Sequence, residues 1–485
     1  MQRALAVLNV FARVALIFGL TLLVPIGVSW WLDDGALAAF DEALLGTSVT
    51  SGLVILATQR HRRELRANDG ILLVVMCWAL LPLIATVPLL LGIPGLGFAD
   101  AYFEAVSGLT ATGATALSGL DRLPPSLNLW RAELHWIGGL GIIVLAVAVL
   151  PLLGVGGRQL MRAEVPSPIK DASIVPRVAE TAKGFWKVYA ALTLLCMLAY
   201  AGLGMGWLDA VMHAFSTVAL GGFSSHDASF AFFDSPALEA VTIGFALISG
   251  MSYATHFAAL SGRSLRPYLR DGELPFYLGV LGASVLLIAV YVWQAGFYPE
   301  FATALRHAAF NTVSVATTLG YASTDYSKWP FFAPLWMLFL CSFVTCAGST
   351  GGGIKMMRAV ILYKQVFREI THAMHPNATT FVKLGGTVVP NKIILAVLGF
   401  GFLYMASTIF FTLALAASGA DIVSAFSAAV ACFNNTGPGL GLVGPDSNYG
   451  VLNDFQVWIC SFAMLLGRLE IFTLLVVLTP AFWRK

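Results

Sequence analysis

Apolar stretches long enough to cross a membrane recur along the whole chain, and two kinds of connection alternate between them. The pattern predicts ten helical spans, at 5–32, 36–58, 70–93, 129–153, 185–206, 237–260, 274–294, 330–354, 392–417 and 454–482. A helix needs about 20 apolar residues to traverse the hydrocarbon of a bilayer. One kind of connection is basic. The other holds a further apolar stretch too short to cross: FADAYFEAVSGL, WLDAVMHAFSTVAL, YPEFATALRHAAFNTVSVATT and ADIVSAFSAAVACFN. Such lengths suit re-entrant helices. Four units of span, short helix and span therefore follow two leading spans, which predicts an all-α membrane protein with an internal repeat. The expected division is 1–66 for the N-terminal helices, then pore units at 67–157, 158–270, 271–385 and 386–485.

Composition supports this reading. Of the 485 residues 58% are hydrophobic and 11% charged, against roughly 25% charged in a soluble domain, which excludes a water-soluble fold. Charge then sets orientation. The termini and the alternate connections 60–66, 158–187, 263–270 and 355–392 carry 23 of the 28 Lys and Arg residues. Only Arg122, Arg131, Arg306 and Lys328 fall on the other side, so both termini are expected in the cytoplasm. The first segment is too long for a cleaved signal and lacks a small-residue cleavage site, so it is expected to be retained. The six cysteines all lie in apolar stretches and read as small buried hydrophobes, not as disulfide or zinc partners.

The short stretches end in related sequences: SGLTATGAT from Ser107, STVALGGFS from Ser216, SVATTLGYA from Ser314 and ACFNNTGPG from Ala431. In each the seventh residue is glycine, namely Gly113, Gly222, Gly320 and Gly437, separated by 109, 98 and 117 residues. A cation entering a membrane must exchange water for other oxygens, and neutral carbonyls supply these without binding too tightly. Carbonyls can be aimed at one axis only by an unusual backbone, and glycine visits positive φ without a Cβ clash. A short helix ending at the loop also points its negative dipole end at the ion. The candidate filter residues are Ala111, Thr112 and Gly113; Leu220, Gly221 and Gly222; Thr318, Leu319 and Gly320; Asn435, Thr436 and Gly437. Glycines that merely allow tight helix packing are the bland alternative, and recurrence in four registers argues against it.

These segments, with LWRAELHWIGGLGIIVLAVAVLPLLGVGG, CAGSTGGGIK and GRLEIFTLL, resemble the TrkH family of bacterial potassium uptake proteins, within the superfamily that includes KtrB and the plant HKT transporters. The resemblance covers nearly the whole chain. It implies four channel-like subunits fused in one polypeptide, in the inner membrane, with potassium as substrate and no covalent cofactor. It also implies a homodimer and a cytoplasmic TrkA-type nucleotide-binding regulatory subunit. Glycine at the first filter position is associated with potassium and serine with sodium, so Gly113 points to potassium. TVGYG is absent from all four loops, and single-glycine loops imply modest discrimination against sodium and rubidium.

Beneath the filter two features are candidate gates. CAGSTGGGIK interrupts the span 330–354, and the four glycines among Gly348, Ser349, Thr350, Gly351, Gly352 and Gly353 each cost a helix interior about 1 kcal/mol. Unwound backbone at membrane depth is tolerated where it lines a cavity. The family implies a loop that blocks the path when closed, with Lys355 at its end. It is not a phosphate-binding loop, because Ile354 separates the last glycine from Lys355 and no GK[ST] follows. Arg468 is the other candidate, a cation in the last apolar segment with Glu470 too near in sequence to face it. The family places it in the pore; pairing with a carboxylate on another helix is the alternative. Glu104 is expected to bond backbone behind the first filter loop or to attract cations at the mouth. Asp121, Asp227 and Asp325 lie on the outer side, where negative charge raises local cation concentration. The histidines read as packing or solvated groups. No polar catalytic cluster suggests an enzyme, and four parallel units argue against an inverted-repeat secondary transporter, although ion coupling stays open.

Overall fold

The computed structural model describes residues 2–61, 65–148 and 174–484. It is helical apart from a small hairpin pairing Lys383–Leu384 with Thr387–Val388. The leading helix Gln2–Gly19 passes through a tight turn into Leu23–Leu32, and Leu37–Thr58 returns beside it. Four sets then follow in order. Their outer helices are Ala67–Gly92, Ile174–Gly202, Leu274–Gln294 and Asn391–Ala417. Their short pore helices are Phe98–Leu109, Trp207–Ala219, Phe301–Ala316 and Ile422–Phe433.

Three of the four inner helices are broken, the third in the region where the glycine cluster was expected to interrupt it. The first, Pro125–Ala148, is unbroken; positions 149–153 of its expected span, and Arg158, Arg162 and Lys170, lie outside the described residues. The expected span 237–260 is instead two helices, Pro236–Ser249 and Tyr253–Ser261, bent by 88°. The expected span 330–354 shrinks to Phe332–Leu340, and irregular chain runs to Lys355 before Met356–Met374 begins. The break thus starts at Cys341, before the glycine cluster. The expected span 454–482 divides into Asp454–Arg468 and Phe472–Leu478, bent by 111°. Arg468 is therefore the last residue of a half-helix, not the middle of a span. The cause is local: Glu470 and Ile471 both take φ of 52°, a region that L-residues avoid in helices.

Burial explains why the layers sort this way. Asn391–Ala417 turns Leu395, Phe402, Met405 and Phe410 outward, as a helix bathed by lipid tails does. The pore helices are rich in alanine and serine and buried over most of their length. Small residues let backbones approach where there is no water to exclude. Each pore helix packs against the inner helix of the preceding set: the second on Pro125–Ala148, the third on Pro236–Ser249, the fourth on Phe332–Leu340, and the first on Asp454–Arg468. That last contact closes the circle. None of the six cysteines is disulfide-bonded; five are buried and Cys77 is half-buried.

Candidate functional site

All four pore helices end the same way. Ala111, Leu220, Thr318 and Asn435 have φ of 50°, 55°, 63° and 54°. Their amides return to Gly108, Thr217, Val315 and Cys432. The next amides, of Thr112, Gly221, Leu319 and Thr436, return five residues to Ser107, Ser216, Ser314 and Ala431 at 2.8–2.9 Å. This is the paired helix-ending pattern that satisfies the last carbonyls around a left-handed residue. Glycine usually fills that position, and only Asn435 is a common substitute, so sequence reading missed it. Two residues later Gly113, Gly222, Gly320 and Gly437 take φ of 80°, 82°, 84° and 94°. Alternating left-handed positions turn each chain sharply out of its helix.

The four loops meet in a closed ring. A Cβ on Gly113 would fall on the carbonyl oxygen of Gly221, one on Gly222 on that of Leu319, and one on Gly320 on that of Thr436. A Cβ on Gly437 would lie 2.7 Å from the carbonyl oxygen of Thr112. Each filter glycine thus abuts the carbonyl before the next glycine, and the fourth loop returns to the first. The twelve candidate filter residues are brought together. A cavity of about 80 Å³ opens there, lined by all four glycines. The Gly437 carbonyl also accepts from the Tyr449 hydroxyl at 2.9 Å, which engages one of its lone pairs.

Behind the ring, buried polar groups hold the loops. Glu104 accepts from the Ala116 amide at 3.0 Å and from Arg131 Nε at 2.7 Å. Of the two expectations for Glu104, backbone bonding behind the filter is the observed one. Arg131 reaches on to the Ser224 carbonyl and lies over the Phe223 ring at 4.3 Å. It therefore ties the first loop to the second. Gly221 has no room for a side chain because the His135 ring packs against it. Arg306 bridges the third pore helix to Glu239 and Asp234.

At the outer face Asp121 and Asp227 each bond across to the neighbouring loop, Asp121 accepting from the Asp227 amide and Asp227 from the Leu120 amide. Asp325 caps its own turn and pairs with Lys328. His226, which sequence reading left among the scattered histidines, bridges Asp121 and Asp209 from beside the ring of Phe232. Burial of the ring opposes its charge, but hydrogen bonds and charge from Asp209 and Asp121 prevail and raise its pKa above 6.5. Residues 105 apart in sequence gave no signal for this site.

The glycine-rich loop lies directly under the ring. The Gly352 amide donates to Thr318 Oγ1 at 3.0 Å, and the Thr350 hydroxyl to the Val218 carbonyl at 3.1 Å. Gly351 has no space for a Cβ beside Thr345 and Thr318, and Gly352 none beside the Asn434 carbonyl. Gly348 and Gly353 take φ of 76° and 80°, and Lys355 takes 76°. Buried Lys355 turns its ammonium back onto the Ser349 hydroxyl and the Gly351 carbonyl. Arg468, 2% exposed, donates to the Thr350 carbonyl at 2.9 Å and the Gly138 carbonyl at 3.1 Å. Among the described residues its hydrogen-bond partners are backbone carbonyls and not a carboxylate. Glu470 pairs instead with Arg358.

A helical, multi-pass membrane protein with four re-entrant loops closed around one axis is defined by these features. The chain belongs to the TrkH family: the family profile, described as cation transport protein, matches residues 38–485. It is 45% identical over 481 residues to the Trk system potassium uptake protein TrkH of Halomonas elongata, covering 99% of both chains. It is 43% identical to the protein of that name from Escherichia coli K12, with the same coverage. The crystal structure of the potassium transporter TrkH from Vibrio parahaemolyticus matches with a TM-score of 0.91 and 39% identity, over 99% of each chain.

Proposed function

We propose that this chain carries potassium across the bacterial inner membrane by channel-like permeation through the four-loop ring, with potassium as substrate and no covalent chemistry. The closed ring of glycine against carbonyl carries this reading. Such a ring offers dehydrated cations neutral oxygens at fixed radius. The names of its relatives, Trk system potassium uptake proteins, support potassium as the ion. Gly348 to Gly353, Lys355 and Arg468 form the gate beneath the filter, closed in this arrangement because the loop is bonded to filter residue Thr318 and to the pore arginine. Each of the units 67–157, 158–270, 271–385 and 386–485 supplies a quarter of the pore. The chain acts as a homodimer with a cytoplasmic TrkA-type nucleotide-binding subunit, both termini facing the cytoplasm, and the Trk system naming fits a multi-component assembly. The test is a reversal-potential measurement on the purified chain in liposomes under potassium and sodium gradients. A permeability ratio favouring potassium is expected; a ratio near one would remove potassium selectivity from the proposal.

A further inference from the structure

Glu273 stands at the start of the third outer helix, beside the basic segment Arg263 to Arg270, and is 4% exposed. Its Oε2 accepts from the Ala347 amide and from the Met357 amide, each at 3.0 Å. These amides flank the glycine-rich loop: Ala347 precedes Gly348, and Met357 lies in the first turn of the helix that follows Lys355. One carboxylate oxygen thus grips both feet of the loop.

Chemistry favours a carboxylate here. The first amides of a helix lack intrahelical partners, and a negative side chain at that end meets the positive end of the helix dipole. Hydrogen bonds to an ionised acceptor are about twice as strong as neutral ones. Within the same neck, the Met356 amide bonds Thr345 and the Ile354 amide bonds Ser342, at 2.8 and 2.6 Å. Glycines and a lysine at positive φ hold a conformation that persists only when its surroundings over-determine it. Glu273 supplies that constraint from a different helix, one that contributes no residue to the loop.

We propose that Glu273 is the positioning residue that clasps the glycine-rich loop in its place under the filter. This rests on the reading of that loop as the gate. Lifting the loop requires at least one of the two amides to leave the carboxylate. Glu273 holds the two feet of the loop, so its removal changes how often the path is open and not which ion passes.

The experiment uses the full chain in liposomes, comparing the parent with Glu273→Ala, Glu273→Gln and Arg468→Ala. Potassium flux, the potassium-to-sodium permeability ratio, and alkylation of buried Cys346 by N-ethylmaleimide are measured. Glu273→Ala is expected to raise flux about tenfold, the shift for loss of one charge-assisted hydrogen bond, and to expose Cys346, with the permeability ratio unchanged. Glu273→Gln keeps a neutral acceptor for both feet but loses the charge, so its flux is expected between the parent and Glu273→Ala. Parental flux and parental Cys346 alkylation in Glu273→Ala, with raised flux in Arg468→Ala, overturn the clasp and leave the gate standing. Parental flux in both variants overturns the two together. A changed permeability ratio also overturns the clasp, because it places Glu273 in the filter's support. Should Glu273→Ala fail to fold, Glu273→Asp reaches one foot only and carries the same test: raised flux supports the clasp and parental flux overturns it.

Discussion

Arg468 Nη1 donates to the carbonyl of Thr350 at 2.9 Å, joining the broken inner helix of the fourth unit to the glycine-rich loop of the third. The contact sets a buried cation on the proposed ion path. A second unit charge about 8 Å away would be repelled by about 2 kcal/mol at an effective dielectric of about 20. Backbone carbonyls soften this repulsion without cancelling the charge. We expect Arg468→Gln to raise potassium flux by about tenfold or more, because it removes the charge and weakens the tie to the loop. Flux from potassium-loaded liposomes is the measurement. Unchanged flux would show that the arginine does not restrict the path.

Gly113 makes a sharper case for selectivity. It has φ of 80° and no room for a Cβ against the Gly221 carbonyl. Serine there meets two obstacles: a backbone region costing an L-residue about 1–2 kcal/mol, and an oxygen that must move. Relief comes by displacing that carbonyl, so the ring widens at one corner. Gly113→Ser is expected to lower the potassium-to-sodium permeability ratio about tenfold while the protein still folds. An unchanged ratio would dissociate this loop from ion choice.

These two residues also show what was legible beforehand. Gly113 and its three counterparts announced themselves by register, since only glycine meets a tight approach at positive φ without cost. The left-handed positions two residues earlier did not, because alanine, leucine and threonine there give no conformational signal. Arg468 stood out as a charge in an apolar run, but the bend beside it was invisible: neither glutamate nor isoleucine signals the positive φ that Glu470 and Ile471 take. The amides gripped by Glu273 lie 74 and 84 residues away from it, beyond the reach of any local pattern. Spans and loops follow from hydropathy; clasps between helices far apart in sequence need the fold.

Arg131 and Glu104 form a fully buried pair, 1% and 0% exposed. Breaking such a pair from one side strands a charge and typically costs 3–5 kcal/mol. Glu104→Gln should therefore lower the thermal unfolding midpoint of the detergent-purified chain. It should also loosen selectivity, because Arg131 bonds the second loop at Ser224. Glu104→Gln combined with Arg131→Met should recover part of the midpoint without recovering selectivity. Recovery of both would show that the pair serves stability alone.

The outer bridge gives a pH dependence whose sign follows from two opposite shifts. His226 titrates above the ordinary 6.5 because the hydrogen bonds and charges of Asp209 and Asp121 outweigh burial. Its contribution is complete below 6.5 and is lost as pH rises through the elevated value. Asp121 is held below the ordinary 3.8, since the His226 hydrogen bond, the Asp227 amide and the His226 charge outweigh its own burial. Its contribution is present above 3.8 and lost as pH falls through the lowered value. The tie between the first and second loops is thus whole from 3.8 to 6.5 and weakens on the alkaline side. His213, stacked 6.4 Å away, is the other imidazole facing this group. Raising the external pH from 6 to 9 should therefore loosen the mouth, lowering the unfolding midpoint and the potassium-to-sodium ratio together. His226→Gln cannot acquire charge, so it should flatten both profiles over that range at the alkaline value. A variant that keeps the parental pH profile would assign the dependence to another group.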